Sequence, residues 1–262
     1  MTEIAAPSGF RNLWKRAITG LILVAVALGA LWFGQWSFWL LVTVLAGIMM
    51  YECGGLLRLP ARKTLSGAIV IVCLMLVFSP AYAPVDRLDL MTAAVVAVVL
   101  GFAFWSARLA AGFAYIAAAS IAIVFLREQG GLVLTLWTLA IVWGTDIGAY
   151  FSGKTIGGPK LAPTFSPNKT WAGLIGGIAS AMLVSGIFVM TTELPALIVI
   201  FAAVLAIVAQ LGDLLESWLK RKADVKDSSN IFPGHGGALD RLDGLLPVAI
   251  CVAGLSITGW AS

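Results

Sequence analysis

The chain has 262 residues, 60% of them hydrophobic and only 11% charged, with a net charge of +4 and a mean hydropathy of +0.99. These figures exclude an ordinary soluble globular protein. Apolar runs of about 18–22 residues recur along the chain, the length a helix needs to cross a hydrocarbon layer roughly 30 Å thick. The fold class they indicate is an all-α polytopic membrane protein, since long apolar runs rather than short alternating ones argue against a β-barrel.

Residues 1–16 read as a short tail carrying Arg11, Lys15 and Arg16, with Phe10 and Trp14 as interfacial anchors. No A-x-A-like cleavage site follows the first apolar run, so the first span is expected to be a retained signal anchor. Spans are expected at about 17–33, 36–57, 65–82, 88–106, 109–126, 131–151, 171–190, 195–216 and 244–261. Residues 17–262 then form a single membrane domain of nine transmembrane helices. The tail and the even-numbered loops collect fifteen of the Lys and Arg residues, whereas the other side receives only Arg87 and Arg127. That bias predicts a cytoplasmic N-terminus and, with an odd span count, a C-terminus outside. Cys53, Cys73 and Cys251 are far apart and lie in or beside apolar runs, where they read as small buried hydrophobes. Glu52, near a cytoplasmic end of an apolar run, is either the partner of a nearby arginine or a site residue, because an ionisable group at that depth is costly.

The chemistry concentrates in residues 143–244. Asp146 stands in W-G-T-D-I-G-A-Y near the end of the sixth span, and an intramembrane carboxylate is a functional candidate by default. Residues 148–155, G-A-Y-F-S-G-K-T, match the Walker A pattern formally, but no strand precedes them, which discounts a P-loop. S-P-N-K-T-W-A-G at 166–173 offers Asn168, Lys169 and Thr170 either as a helix cap or as phosphate contacts. Asp213, Glu216, Ser217 and Lys220 follow the spacing i, i+3, i+4, i+7 and share one helical face. A solvated Glu216–Lys220 pair would explain the last turn but not Asp213.

Residues 213–244 hold six carboxylates, five basic groups and the only histidine, His235. P-G-H-G-G at 233–237 suits a nest of backbone amides around an anion. It opens into A-L-D-R-L-D, where Asp240 and Asp243 share a face as first-turn acids or as oxygen ligands for Mg²⁺. Carboxylates for cations, Lys and Arg for phosphate, and a glycine nest are the parts of phosphoryl or nucleotidyl transfer. No nucleophile set is evident. A phosphate monoester, largely dianionic at neutral pH with a second pKa near 6, would serve as its own nucleophile.

Residues 217–243, with S-x-x-K-R, K-D, P-G-H-G-G and D-R-x-D in that order, resemble the C-terminal signature of bacterial phosphatidate cytidylyltransferases (CDP-diglyceride synthases). S-P-N-K-T-W-A-G resembles that family's second conserved stretch and D-I-G-A-Y its third. Ala172 departs from the glutamate usual in T-W-E-G, and Ala238 is smaller than the usual residue after H-G-G. The resemblance implies transfer of the cytidylyl group of CTP to phosphatidic acid with Mg²⁺, with room for a second cation, divalent or K⁺. By position it implies that Asp213, Asp240 and Asp243 hold metal, and that Lys220, Arg221, Lys226 and His235 act on phosphates. Asn168, Lys169 and Thr170 would contact nucleotide or lipid phosphate, with Ser166, Ser217, Gly234, Gly236, Gly237 and Arg241 completing the substrate site. Asp146 would be a ligand or a lysine's partner. It implies a site facing the cytoplasm in the bacterial inner membrane, CTP and membrane lipid as partners, and no nucleic acid; it admits a homodimer. The competing readings are another CTP-dependent lipid kinase or cytidylyltransferase and, from a different class, an ion-coupled transporter. Transport would place charge near the midplane of matching halves, which this chain lacks.

Overall fold

The computed structural model describes residues 8–82, 107–232 and 234–258 and scattered positions between 85 and 101, with side chains from Ile18 onward. The first residues of the expected tail, most of the fourth span, Pro233 and the last residues of the ninth span lie outside the described residues.

Apolar runs without internal proline form the helices α1 (Ser8–Phe33), α2 (Gln35–Leu56), α3 (Ala61–Val77), α4 (Ala107–Gln129), α5 (Gly131–Thr155), α6 (Trp171–Thr191) and α7 (Leu197–Lys222). A short α8 (Leu239–Leu242) and the apolar α9 (Leu245–Ile257) follow. Five of these, α2, α4, α5, α6 and α7, are long and apolar enough to cross a membrane, and residues 18–33 and α9 are shorter apolar helices.

The departure from an all-helical chain is a two-stranded antiparallel hairpin, β1 (Lys160–Ala162) with β2 (Ser166–Thr170). Gly157, Gly158 and Pro159 end α5, and Pro163 and Pro167 keep the segment from re-entering a helix. Thr170 then caps α6, accepting a bond from the Gly173 amide at 3.0 Å.

The core lies between α2, α4, α5, α7 and α9. Phe113, Ile116, Ile121 and Leu126 of α4 and Trp137 of α5 are fully buried there. Both buried indoles find acceptors: Trp39 Nε1 donates to the Met75 carbonyl at 3.1 Å and Trp137 Nε1 to Ser185 Oγ at 2.8 Å. Thr135, Thr138 and Thr145 of α5 return their hydroxyl protons to carbonyls one turn back. Helix α6 lies against α5 at close range, because a Cβ on Gly176 would fall 1.8 Å from Ser152 Oγ. Its other face is apolar and exposed at Ile175, Leu183 and Met190, the surface expected to meet lipid. The three cysteines are free thiols.

Candidate active site

Helix α7 ends at Lys222 rather than near residue 216, which keeps Asp213, Glu216, Ser217 and Lys220 in helical register. Ser217 Oγ donates to Asp213 Oδ1 at 3.3 Å, and Lys220 Nζ lies 3.4 Å from Glu216 Oε1. Gly212 allows the α8–α9 turn to approach, since a Cβ there would sit 2.3 Å from the Asp243 carbonyl oxygen. Asp213 and Asp243 are thereby brought together. From the hairpin, Lys169 places its Nζ 2.5 Å from Asp213 Oδ2. Asp146 of α5 lies within electrostatic reach of Asp213, Lys169 and Asp243. Residues 148–155 are helical, so the formal Walker A match has no phosphate-binding loop.

The glycine loop departs from the expected phosphate nest. The amides of Ser228 and Gly237 donate to Asp240 Oδ2 at 2.9 and 2.8 Å, and those of Ala238 and Leu239 to Glu52 at 2.9 and 2.8 Å. The anions gathered by these four amides are the chain's own carboxylates. The partner of Glu52 is this loop rather than an arginine. Asp240 also accepts from Ser228 Oγ at 2.9 Å and Lys220 Nζ at 2.6 Å. The motif assigns Asp240 to metal, yet these donors occupy most of its lone pairs. Burial opposes its ionisation, but the Lys220 ammonium and the Gly237 and Ser228 amides outweigh that and hold its pKa at about 2. Asp243 shifts the other way, above the ordinary carboxylate range, because it is buried and faces the charge of Asp213.

The remaining expected residues are spread around this centre. Arg221 Nε reaches the Phe165 carbonyl at 3.5 Å, and Arg241 Nε donates to the His235 carbonyl at 2.7 Å. Lys226, Asn168 and Gly234 are exposed, and Ser166 pairs with Ala162 at the start of β2. The Thr170 hydroxyl is occupied by its cap, which is the plainer of its two expected roles. His235 turns toward α1, where its Nε2 stands 3.2 Å from a Cβ built on Gly20. Gly236, with a φ of +80°, supplies the turn that brings its carbonyl to the Phe232 amide at 3.0 Å.

Glu216 is the acid that sequence reasoning underrates. It is 5% exposed, and neither carboxylate oxygen has a hydrogen-bond donor among the described residues. Among the described residues, Asp146, Asp213, Glu216 and Asp243 together have only Lys169 and Lys220 as ion-pair partners, and Lys220 is shared with Asp240. An under-neutralised group of oxygens fits a hard divalent cation. Among the described residues no three acidic, cysteine or histidine side chains form a ready metal cage.

A cavity of about 510 Å³ opens beside this cluster between α2, α4, α7 and α9, within the range of ligand sites. Its walls are largely apolar, with Leu56, Leu215, Leu219 and Leu246, and its floor reaches Glu216 and Asp243. Arg58, Arg108 and Lys222 also line it, and the exposed Arg108 has no ion-pair partner among the described residues. Arg58 pairs with Asp224, and Lys222 Nζ lies 4.8 Å from the centre of the Trp218 ring. None of these three is among the candidate site residues drawn from the sequence, since Arg58 follows α2, Arg108 opens α4 and Lys222 ends α7, and only the fold brings them to one cavity.

Comparison with known proteins agrees with this chemistry. The profile of the cytidylyltransferase family matches residues 14–257. The phosphatidate cytidylyltransferase of Brucella suis is 38% identical over 248 residues, covering 91% of both chains. That of Bacillus subtilis is 35% identical over 260 residues, 90% of this chain and 94% of the other. That of Pseudomonas aeruginosa is 33% identical over 271 residues, 95% and 99%.

Proposed function

The chain belongs to the cytidylyltransferase family, and we propose that it transfers the cytidylyl group of CTP to phosphatidic acid, giving CDP-diacylglycerol and pyrophosphate. The observation that carries this reading is the junction of two unlike spaces. A carboxylate and lysine cluster suited to a triphosphate adjoins an apolar cavity with cations, suited to a lipid phosphate.

In the reaction a phosphate oxygen of the lipid attacks the α-phosphorus of CTP. The bond from that phosphorus to the oxygen bridging toward the β-phosphorus breaks, and pyrophosphate leaves. The lipid phosphate is largely dianionic at neutral pH, so no side chain has to remove a proton from it. Arg58, Arg108 and Lys222 hold it at the cavity. Lys169 and Lys220, kept in place by Asp213 and Asp240, meet the triphosphate, with Arg221 and Lys226 toward the cytosol. Asp213 and Asp243 would hold Mg²⁺, flanked by Asp146 and Glu216, and the bound ion would offset the charge of the phosphates. Asp240 serves as the group that orients Lys220.

The same reading places the protein in the bacterial cytoplasmic membrane with nine spans, N-terminus inside and C-terminus outside. Its support is the fifteen-to-two distribution of basic residues. The lipid enters from the inner leaflet and CTP from the cytosol. The test is incorporation of label from CTP labelled at the α-phosphorus into organic-extractable lipid. Label in a product that requires phosphatidic acid supports the reading; label from the γ-phosphate instead would make the protein a lipid kinase.

A further inference from the structure

Glu52 belongs to the first half of the chain, where no motif lies, yet its carboxylate ends in the middle of the signature loop. It is 2% exposed. Oε1 accepts from the Ser229 hydroxyl at 2.6 Å and the Ala238 amide at 2.9 Å; Oε2 accepts from the Leu239 amide at 2.8 Å and the Ser228 hydroxyl at 3.2 Å. Three full donors and a share of the single Ser228 hydroxyl proton take up most of the carboxylate's acceptor capacity, which directs Glu52 at the loop rather than at a cation. A buried carboxylate with such partners is bound to them strongly, because removing them would leave its charge unsatisfied.

What these bonds hold is specific. Ala238 and Leu239 begin the turn that carries Asp240, Arg241 and Asp243. Ser228 has one hydroxyl proton and stands between two carboxylates, 2.9 Å from Asp240 Oδ2 and 3.2 Å from Glu52 Oε2. Gly237 fits this arrangement because a Cβ there would fall 2.3 Å from Glu52 Oε1 and 2.1 Å from Ser228 Oγ. The chain Glu52–Ser228–Asp240–Lys220–Glu216 therefore links α2 to the carboxylate cluster on α7.

We propose that Glu52 is a positioning residue for the reaction, fixing the 228–243 segment so that Asp243 and Lys220 face the substrates. This rests on the function proposed above. A glutamine in its place presents an amide N–H₂ to backbone N–H groups that already donate, so at least one of the four bonds is lost. Aspartate keeps the charge but is one methylene shorter.

The test compares the parent with Glu52→Gln and Glu52→Asp, purified in detergent, by two readouts. The first is hydrogen exchange of the backbone amides across 228–243, which needs no turnover. Glu52→Gln is expected to speed exchange at Ala238 and Leu239 at least tenfold while α4 and α5 stay protected, and Glu52→Asp to do so less. The second is steady-state kinetics. Glu52→Gln is expected to lower kcat and raise the half-saturating Mg²⁺ about 10- to 100-fold, as loss of supporting groups does at metal sites, with Glu52→Asp intermediate. Unchanged exchange at Ala238 and Leu239 in a folded Glu52→Gln protein overturns the proposal. So does a kcat and Mg²⁺ requirement equal to the parent's with only melting temperature lowered. If the parent itself fails to convert CTP and phosphatidic acid, the functional reading has failed, and exchange alone decides whether Glu52 holds the loop.

Discussion

Lys169 Nζ and Asp213 Oδ2 meet at 2.5 Å, joining the last residues of a hairpin strand to the C-terminal half of α7. Each belongs to a different motif, and their contact makes one site of two. Replacing Lys169 by methionine keeps the stem and removes the charge. The variant is expected to lose about 100-fold in kcat/KM for CTP, about 2.7 kcal/mol of transition-state stabilisation, as for removal of one preorganised charged donor. Pyrophosphate release under subsaturating CTP checks this; a loss below threefold would exclude Lys169 from the nucleotide site.

Asp240 gives a pH dependence with a definite sign. Its pKa is lowered in the folded protein to about 2, from an unfolded value of about 3.9. Its stabilising effect is therefore full above about pH 4 and is lost as pH falls toward 2. The gap in thermal stability between the parent and Asp240→Asn in detergent is expected to be widest at pH 5–7 and to narrow steadily from pH 4 to 3. A gap that widens on acidification would contradict the bonding described for Asp240.

Arg108 is the residue on which the proposed lipid half of the site can be tested apart from the nucleotide half. It lines the cavity and has no ion pair among the described residues, so its removal breaks no ion pair there. Arg108→Gln is expected to raise the KM for phosphatidic acid about tenfold, the loss of one partly exposed charge on phosphate, with the KM for CTP unchanged. Surface-dilution kinetics in mixed micelles measure both constants. A matching rise in both would place Arg108 elsewhere.

In the proposed site Glu216 stands beside the cation. Chelation by EDTA is expected to stop turnover and added Mg²⁺ to restore it. Glu216→Gln, which removes one charge from a buried group lacking donors, is expected to raise the half-saturating Mg²⁺ about tenfold. Titration of activity with free Mg²⁺ reads the shift, and an unchanged requirement would remove Glu216 from the cation's surroundings.

The membrane character and the helices α2, α4, α5, α6 and α7 were legible because hydropathy over some twenty residues is a strong signal. The grouping of Asp213, Ser217 and Lys220 followed from helical periodicity, and the signature at 217–243 named a family that the comparisons bear out. Three things were not legible. The hairpin at 160–170 follows from Pro159, Pro163 and Pro167, which show where a helix stops without showing what replaces it. The loop amides looked free for phosphate, because sequence carries no sign that Glu52, 186 residues from Ala238, would fill them. The cavity is built from single residues on four helices, so no local pattern announces it.

In the proposed reaction the carboxylate cluster carries cytidylyl transfer from CTP to phosphatidic acid. The most direct measurement is pyrophosphate release by the purified protein in detergent, omitting CTP, Mg²⁺ and phosphatidic acid in turn, for the parent and Asp243→Asn. Release is expected to require all three, to yield a CDP-lipid product, and to fall more than 100-fold in a folded Asp243→Asn protein. Release without phosphatidic acid, or parental activity in Asp243→Asn, would contradict it.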